Sequence, residues 1–230
     1  MISLQKLSKH FGRFAALRSI TAEFGLGARF YGVLGDNGAG KSTLLRVLAG
    51  LTQPTSGSVL IAGKTPRESR RDLGFMAHAS LLYDELDAME NLAYFAQLYG
   101  GIGHPQCEHA IRMVGLDPTL KRRVGQYSQG MRQRLSLARA VVHGPSLLLL
   151  DEPFSNVDVH SGREMVRLLA EKRDRGLSIF VVTHQPMLLE GVADEFITIA
   201  AGQIVSRERS SQTSLSQAPA NTEAMSEVRR

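Results

Sequence analysis

The chain has no tryptophan and only one cysteine, Cys107. One thiol cannot close an internal disulfide, so stability has to come from a packed core, as suits a reducing compartment. Long apolar runs are missing too. The densest stretches, Leu147 to Leu150 and Ile179 to Val182, are strand-sized. They fall far short of the ~20 residues a helix needs to cross a bilayer. Lys6, Lys9, His10 and Arg13 near the N-terminus are not followed by an apolar stretch, so no signal peptide is expected. Any work at a membrane would then be done by a soluble subunit held by a partner. Nucleic-acid binding finds no aromatic or motif support, and none is expected.

What is present suits one sizeable α/β domain. The 230 residues are 43% apolar, enough for a full core. The net charge of +5 is spread over Arg67, Arg70 and Arg71, Lys121 to Arg123, and Arg163 to Arg175. Such scattered charges read as solvated faces, and a cytoplasmic membrane surface tolerates them.

Strand and helix patterns alternate along the chain. Ile2 to Ala28 reads as short strands joined near Gly12. Phe30 to Leu34 is an apolar strand, and a helix from about Ser42 to Ala49 is closed by Gly50. Pro54 and Gly57 bracket a turn before a strand at Val59 to Ala62, and Leu73 to Met76 is another strand. Helical spacing then takes over. Asp87 and Glu90 form a capping box for a helix to Leu98; further helices run from about Pro105 to Val114 and from Ser128 to about Val142. Alternation resumes with strands at Ser146 to Leu150, Ser178 to Thr183 and Glu195 to Ala200. Helices are expected at Ser161 to Asp174 and Gln185 to Val192. The pattern predicts a mostly parallel sheet with helices on both faces, and a helical insert at about 79–144. From Arg207 on, small polar residues dominate, so 207–230 is expected to be a disordered tail after a domain at 1–206.

Gly35-Asp36-Asn37-Gly38-Ala39-Gly40-Lys41-Ser42, with Thr43 next, follows a strand and opens a helix. The glycines let backbone N–H groups curl around phosphate oxygens, and the helix N-terminus adds partial positive charge. Lys41 would reach the β- and γ-phosphates, and the Ser42 hydroxyl would ligate Mg²⁺. The loop alone does not separate kinases, GTPases and transport ATPases. Leu147 to Leu150 then run into Asp151-Glu152-Pro153. At the end of a buried strand, Asp151 suits Mg²⁺ and Glu152 suits a base for the attacking water. Ser128 opens a helix whose free N–H groups could meet a phosphate.

Tyr127-Ser128-Gln129-Gly130-Met131, followed by Arg132-Gln133-Arg134, resembles the signature of the ATP-binding cassette superfamily, usually Leu-Ser-Gly-Gly-Gln. Ser128 and Gly130 are kept; Tyr127, Gln129 and Met131 depart. The resemblance covers Ile2 to about Ser206. It implies a P-loop, RecA-like core with an antiparallel β layer and an inserted helical subdomain. It further implies an ATPase that closes on two ATP as a homodimer, or a heterodimer with another such ATPase. Each ATP would lie between one subunit's phosphate loop and the other's Ser128 to Gly130. By the same resemblance, Asn156-Val157-Asp158 is the loop that crosses the interface, and His184 contacts the γ-phosphate and holds Glu152. Phe11 stacks on adenine. His78 takes the place of the usual Gln near Mg²⁺ and the attacking water, where a neutral imidazole nitrogen could serve.

The implied partner is an integral-membrane permease, with the subunit peripheral on the cytoplasmic face of the cell membrane. His78 and the segment Gly74 to Gly100 resemble haem exporters of cytochrome c maturation. The signature segment looks equally like ATPases of drug, antibiotic and polysaccharide exporters. A non-transport cassette ATPase in DNA repair or translation is the alternative, but those usually carry a long coiled coil or two cassettes. An ATP sensor without turnover would not need Lys41, Ser42, Asp151, Glu152 and His184 together.

Overall fold

A computed structural model describes residues 1–210. Two sheets and five α-helices make up the described chain. Strands β1 (Ile2–Phe11), β2 (Phe14–Phe24) and β4 (Ser56–Ile61) form an antiparallel layer in the order β2-β1-β4. Ile2 pairs with Phe24 on one side and Ile61 on the other. Gly57 lies inside β4 rather than in the turn before it. Its φ is +79°, and an added Cβ would sit 2.3 Å from the Lys6 carbonyl oxygen, so only glycine lets the two strands close there.

The central sheet has six strands in the order β5-β6-β7-β3-β8-β9. These are β3 (Phe30–Leu34), β5 (Leu73–Met76), β6 (Leu147–Asp151), β7 (Ser178–Val182), β8 (Glu195–Ala200) and β9 (Gln203–Arg209). All neighbours are parallel except β8 and β9. Every residue of β6 and β7 is buried, as expected of strands covered on both faces. Helix α1 (Lys41–Leu48) follows β3. Helices α2 (Ala88–Tyr99), α3 (His104–Met113) and α4 (Gln129–Val141) form the insert, and α5 (Val159–Asp174) follows β6.

The sheet divides the apolar interior into two cores. Leu147, Leu149, Phe180 and Val182 face one core, with α1 and the antiparallel layer. Leu148, Leu150, Ile179 and Val181 face the other, with Leu92, Ile111 and Leu135 of the helical insert. This alternation is the period-two geometry of a strand with both faces covered.

Two further expectations are corrected. The segment Gln185 to Val192 holds only a single 3₁₀ turn, Pro186–Leu188. Gly191 has φ +74°, and Pro186 starts the turn without an N–H to donate. The sheet also runs past the expected domain end at 206. Residues Arg207–Arg209 belong to β9, and the Arg207 guanidinium pairs with the buried Glu195 carboxylate on β8. An antiparallel partner and this ion pair order a stretch whose composition reads as tail. The rest of that expectation, 211–230, lies outside the described residues.

Candidate functional site

The phosphate-type loop is shaped by backbone crowding. Gly35 has φ +139°, and a Cβ there would meet the Ile199 carbonyl oxygen at 2.1 Å. Gly40, with φ +111°, caps α1, and its Cβ would meet the Ala16 carbonyl oxygen at 2.5 Å. Gly38 faces open space. The loop is thus pressed onto β8 behind and β2 beside, leaving its inner face free.

Lys41 is buried, and its Nζ donates to the carbonyl oxygens of Gly35 at 2.6 Å and Asp36 at 2.9 Å. The Ser42 hydroxyl donates to Asp151 Oδ1 at 2.8 Å. Asp151 ends β6 almost wholly buried, and its Oδ2 has no hydrogen-bond partner. A buried carboxylate oxygen without a donor is costly unless something positive meets it. Glu152 turns out of the strand with φ +55°, its N–H donating to the Val182 carbonyl. One of its carboxylate oxygens lies 3.2 Å from His184 Nε2, and the other accepts the His184 backbone N–H at 3.3 Å. The first contact is close enough for charge attraction but not aligned as a hydrogen bond. Burial pushes the Glu152 carboxyl above the usual range, and His184 and then Lys41 oppose that push.

Asp36 to Thr43, His78, Asp151, Glu152 and His184 share one cleft, with Ser155 and Phe14 at its walls. Gly35 lies beneath it. His78 is exposed at the cleft, just past β5. Phe11 does not line the cleft; it is exposed, with Lys9 Nζ 5.0 Å from its ring centroid. The aromatic wall is Phe14, its cross-strand partner in the β1–β2 hairpin. Phe14 is missed in the sequence because nothing local says which side of a tight hairpin faces the loop.

Ser128, Gly130 and Asp158 lie elsewhere. Ser128 caps α4, its Oγ accepting the Met131 N–H at 3.2 Å. Asp158 caps α5, accepting the Ser161 N–H at 3.0 Å. Together with Asn156 they line a second cleft that shares no residue with the first.

The donor set fits a triphosphate with Mg²⁺. A hydroxyl and a carboxylate with a spare oxygen are the hard ligands that ion takes from protein, with phosphates and water completing its shell. The described residues hold no cluster of three His, Cys, Asp or Glu that could bind a metal unaided.

Strand, glycine loop and helix, with two acids and a histidine ending neighbouring parallel strands, define a P-loop nucleotide-binding protein of the ATP-binding cassette kind. The ABC transporter family matches residues 18–155, and the chain belongs to that family. It is 34% identical over 197 residues to the ABC transporter ATP-binding protein NatA of Bacillus subtilis, covering 82% of this chain and 79% of that one. It is 38% identical over 180 residues to the bacitracin transport ATP-binding protein BcrA of Bacillus licheniformis, covering 76% and 59%. Among solved structures it resembles the dimeric post-hydrolysis state of the ATP-binding cassette MJ0796 bound to ADP and Pi. The TM-score there is 0.83, with 26% identity, over 91% of this chain and 98% of that one. The protein is the ATP-binding, ATP-hydrolysing subunit of an ABC transporter.

Proposed function

We propose that two such subunits, or one and a homologous ATPase, close head to tail on two ATP with Mg²⁺ and so drive export through an integral-membrane permease. The observation that supports this is the split of the phosphate-directed groups into two clefts with no residue in common. One cleft holds the phosphate loop and the acids. The other offers the N-terminus of α4, which is capped by the neutral Ser128 and attracts an anion, beside Asp158 at the start of α5. Facing copies would bring unlike clefts together.

Within the first cleft Lys41 exchanges the carbonyls of Gly35 and Asp36 for β- and γ-phosphate oxygens. Ser42 and Asp151 would hold Mg²⁺, which neutralises charge on those oxygens when bound. Glu152, held by His184, takes the proton of the attacking water, and its raised carboxyl pKa suits a base. His78 stands where it can orient that water with a neutral nitrogen. Phe14, with Phe11 beside it on the hairpin, offers the face on which adenine stacks. Ser128, Gly130 and Asp158 meet the nucleotide held by the other subunit.

Among the described residues no helix is long and apolar enough to cross a membrane. The permease therefore supplies the path, and the subunit sits on the cytoplasmic face. Export is favoured by the resemblance of the signature segment, Tyr127 to Arg134, to ATPases of exporters. The narrower haem-exporter reading rests on His78 and its surrounding segment.

Glu152→Gln tests the dimer. It should bind ATP, turn it over at least a hundredfold more slowly by about the worth of a positioned base, and elute as a dimer with ATP and Mg²⁺. A strict monomer under those conditions, alone and with its co-purified partner ATPase, overturns the head-to-tail reading.

A further inference from the structure

We infer that Arg134 is a positioning residue that fastens the N-terminus of α4 to that of α5, so that Ser128 and Asp158 meet the partner's nucleotide as one surface. The inference rests on the head-to-tail reading. Arg134 lies about one and a half turns beyond the Ser128 cap, and Glu164 lies the same distance beyond the Asp158 cap. The Arg134 guanidinium joins them: Nη2 donates to the Glu164 carboxylate. Nη1 donates to the Val114 carbonyl oxygen at 3.3 Å, bringing in the end of α3 as well. Gly115, with φ +73°, makes room, because a Cβ there would lie 2.8 Å from Nη1. His160 is the other group on Glu164, with Nδ1 at 3.7 Å.

A partly exposed ion pair adds little to folding stability. A planar fork bonded to two elements at once fixes their relative placement, which a lysine could not do. Arg134 also lines the cleft that contains Ser128, Asn156 and Asp158. Holding that cleft rigid before closure removes an ordering cost from the closed dimer.

The test places Arg134→Gln, Glu164→Gln and the double change in the Glu152→Gln chain. Dimer dissociation constants are measured by sedimentation with ATP and Mg²⁺. ATP affinity and Tm are measured on the same proteins as monomers. Each single change should weaken the dimer about tenfold, and the double change should weaken it no further than the worse single, because both break one link. Monomer ATP affinity should stay within about twofold. Additive losses, an unchanged dimer, or a fall in monomer Tm that tracks the dimer loss would overturn the inference. A Glu152→Gln parent that stays monomeric overturns the head-to-tail reading and takes this inference with it.

Discussion

Glu152 holds two costs in one side chain. Its backbone lies in the left-handed region, and its carboxyl is half-buried with a raised pKa. The sign follows from linkage. The folded chain holds the Glu152 proton more tightly than the unfolded chain does. Stability is therefore lost as pH rises from the ordinary carboxylate pKa through the raised one, and that loss persists at neutral pH. Glu152→Gln removes the charge and should raise Tm at pH 7. The gain should shrink toward pH 4 in thermal melts, where wild type is also protonated. Lys41 behaves differently. Its bonds to Gly35 and Asp36 already satisfy the ammonium. Lys41→Ala should reduce ATP affinity at least a hundredfold in isothermal titration, about the worth of a lost charge-assisted contact, with a smaller change in Tm. Near-normal affinity would remove Lys41 from the phosphate site.

At the scale of elements, the strands around the site are legible because they are short runs rich in apolar residues. Phe30–Leu34, Leu73–Met76 and Glu195–Ala200 lie where the pattern puts them. The capping box of Asp87 and Glu90 is formed on both sides. Part of what the pattern misses is decided by distant partners: the strand β9 exists because β8 offers an edge. Phe14 replaces Phe11 at the cleft for a similar reason, since a hairpin's facing is set by packing. The break at Pro186 and Gly191 is instead local, and apolar spacing alone passes over it. The joint between insert and core holds one further group that the sequence does not single out. His143 stacks on Tyr99 at 4.0 Å, and its Nε2 lies 3.0 Å from the Leu73 carbonyl oxygen. Burial pushes its pKa down, with the Leu73 hydrogen bond and then Asp72 opposing. The unfolded chain therefore takes the proton first, and stability present above the ordinary imidazole pKa is lost as pH falls below it. His143→Phe keeps the stack and should lose less Tm than wild type between about pH 7 and about pH 5.

For the molecule as a whole, the helical insert shares its core with the central sheet, so it should not melt on its own. Calorimetry should show one transition for the nucleotide-free chain. Ser128→Arg should bind ATP as a monomer yet fail to dimerise in the Glu152→Gln chain, because a bulky cation would fill the anion-facing end of α4. Full ATPase activity in Ser128→Arg would leave Ser128 as a cap and nothing more. A last consequence concerns β6. Its four leucines alternate between the two cores, so a slip by one residue would trade leucine for leucine at three places and bring Ser146 or Asp151 into the fourth. The strand's interior cannot tell its own frame. Only its ends can, and the marker at the C-terminal end is Asp151, tied to Ser42. The carboxylate proposed to hold magnesium would thus also serve as the ruler that sets the central strand in frame, and Asp151→Leu should lower the refolding yield far more than Lys41→Ala does.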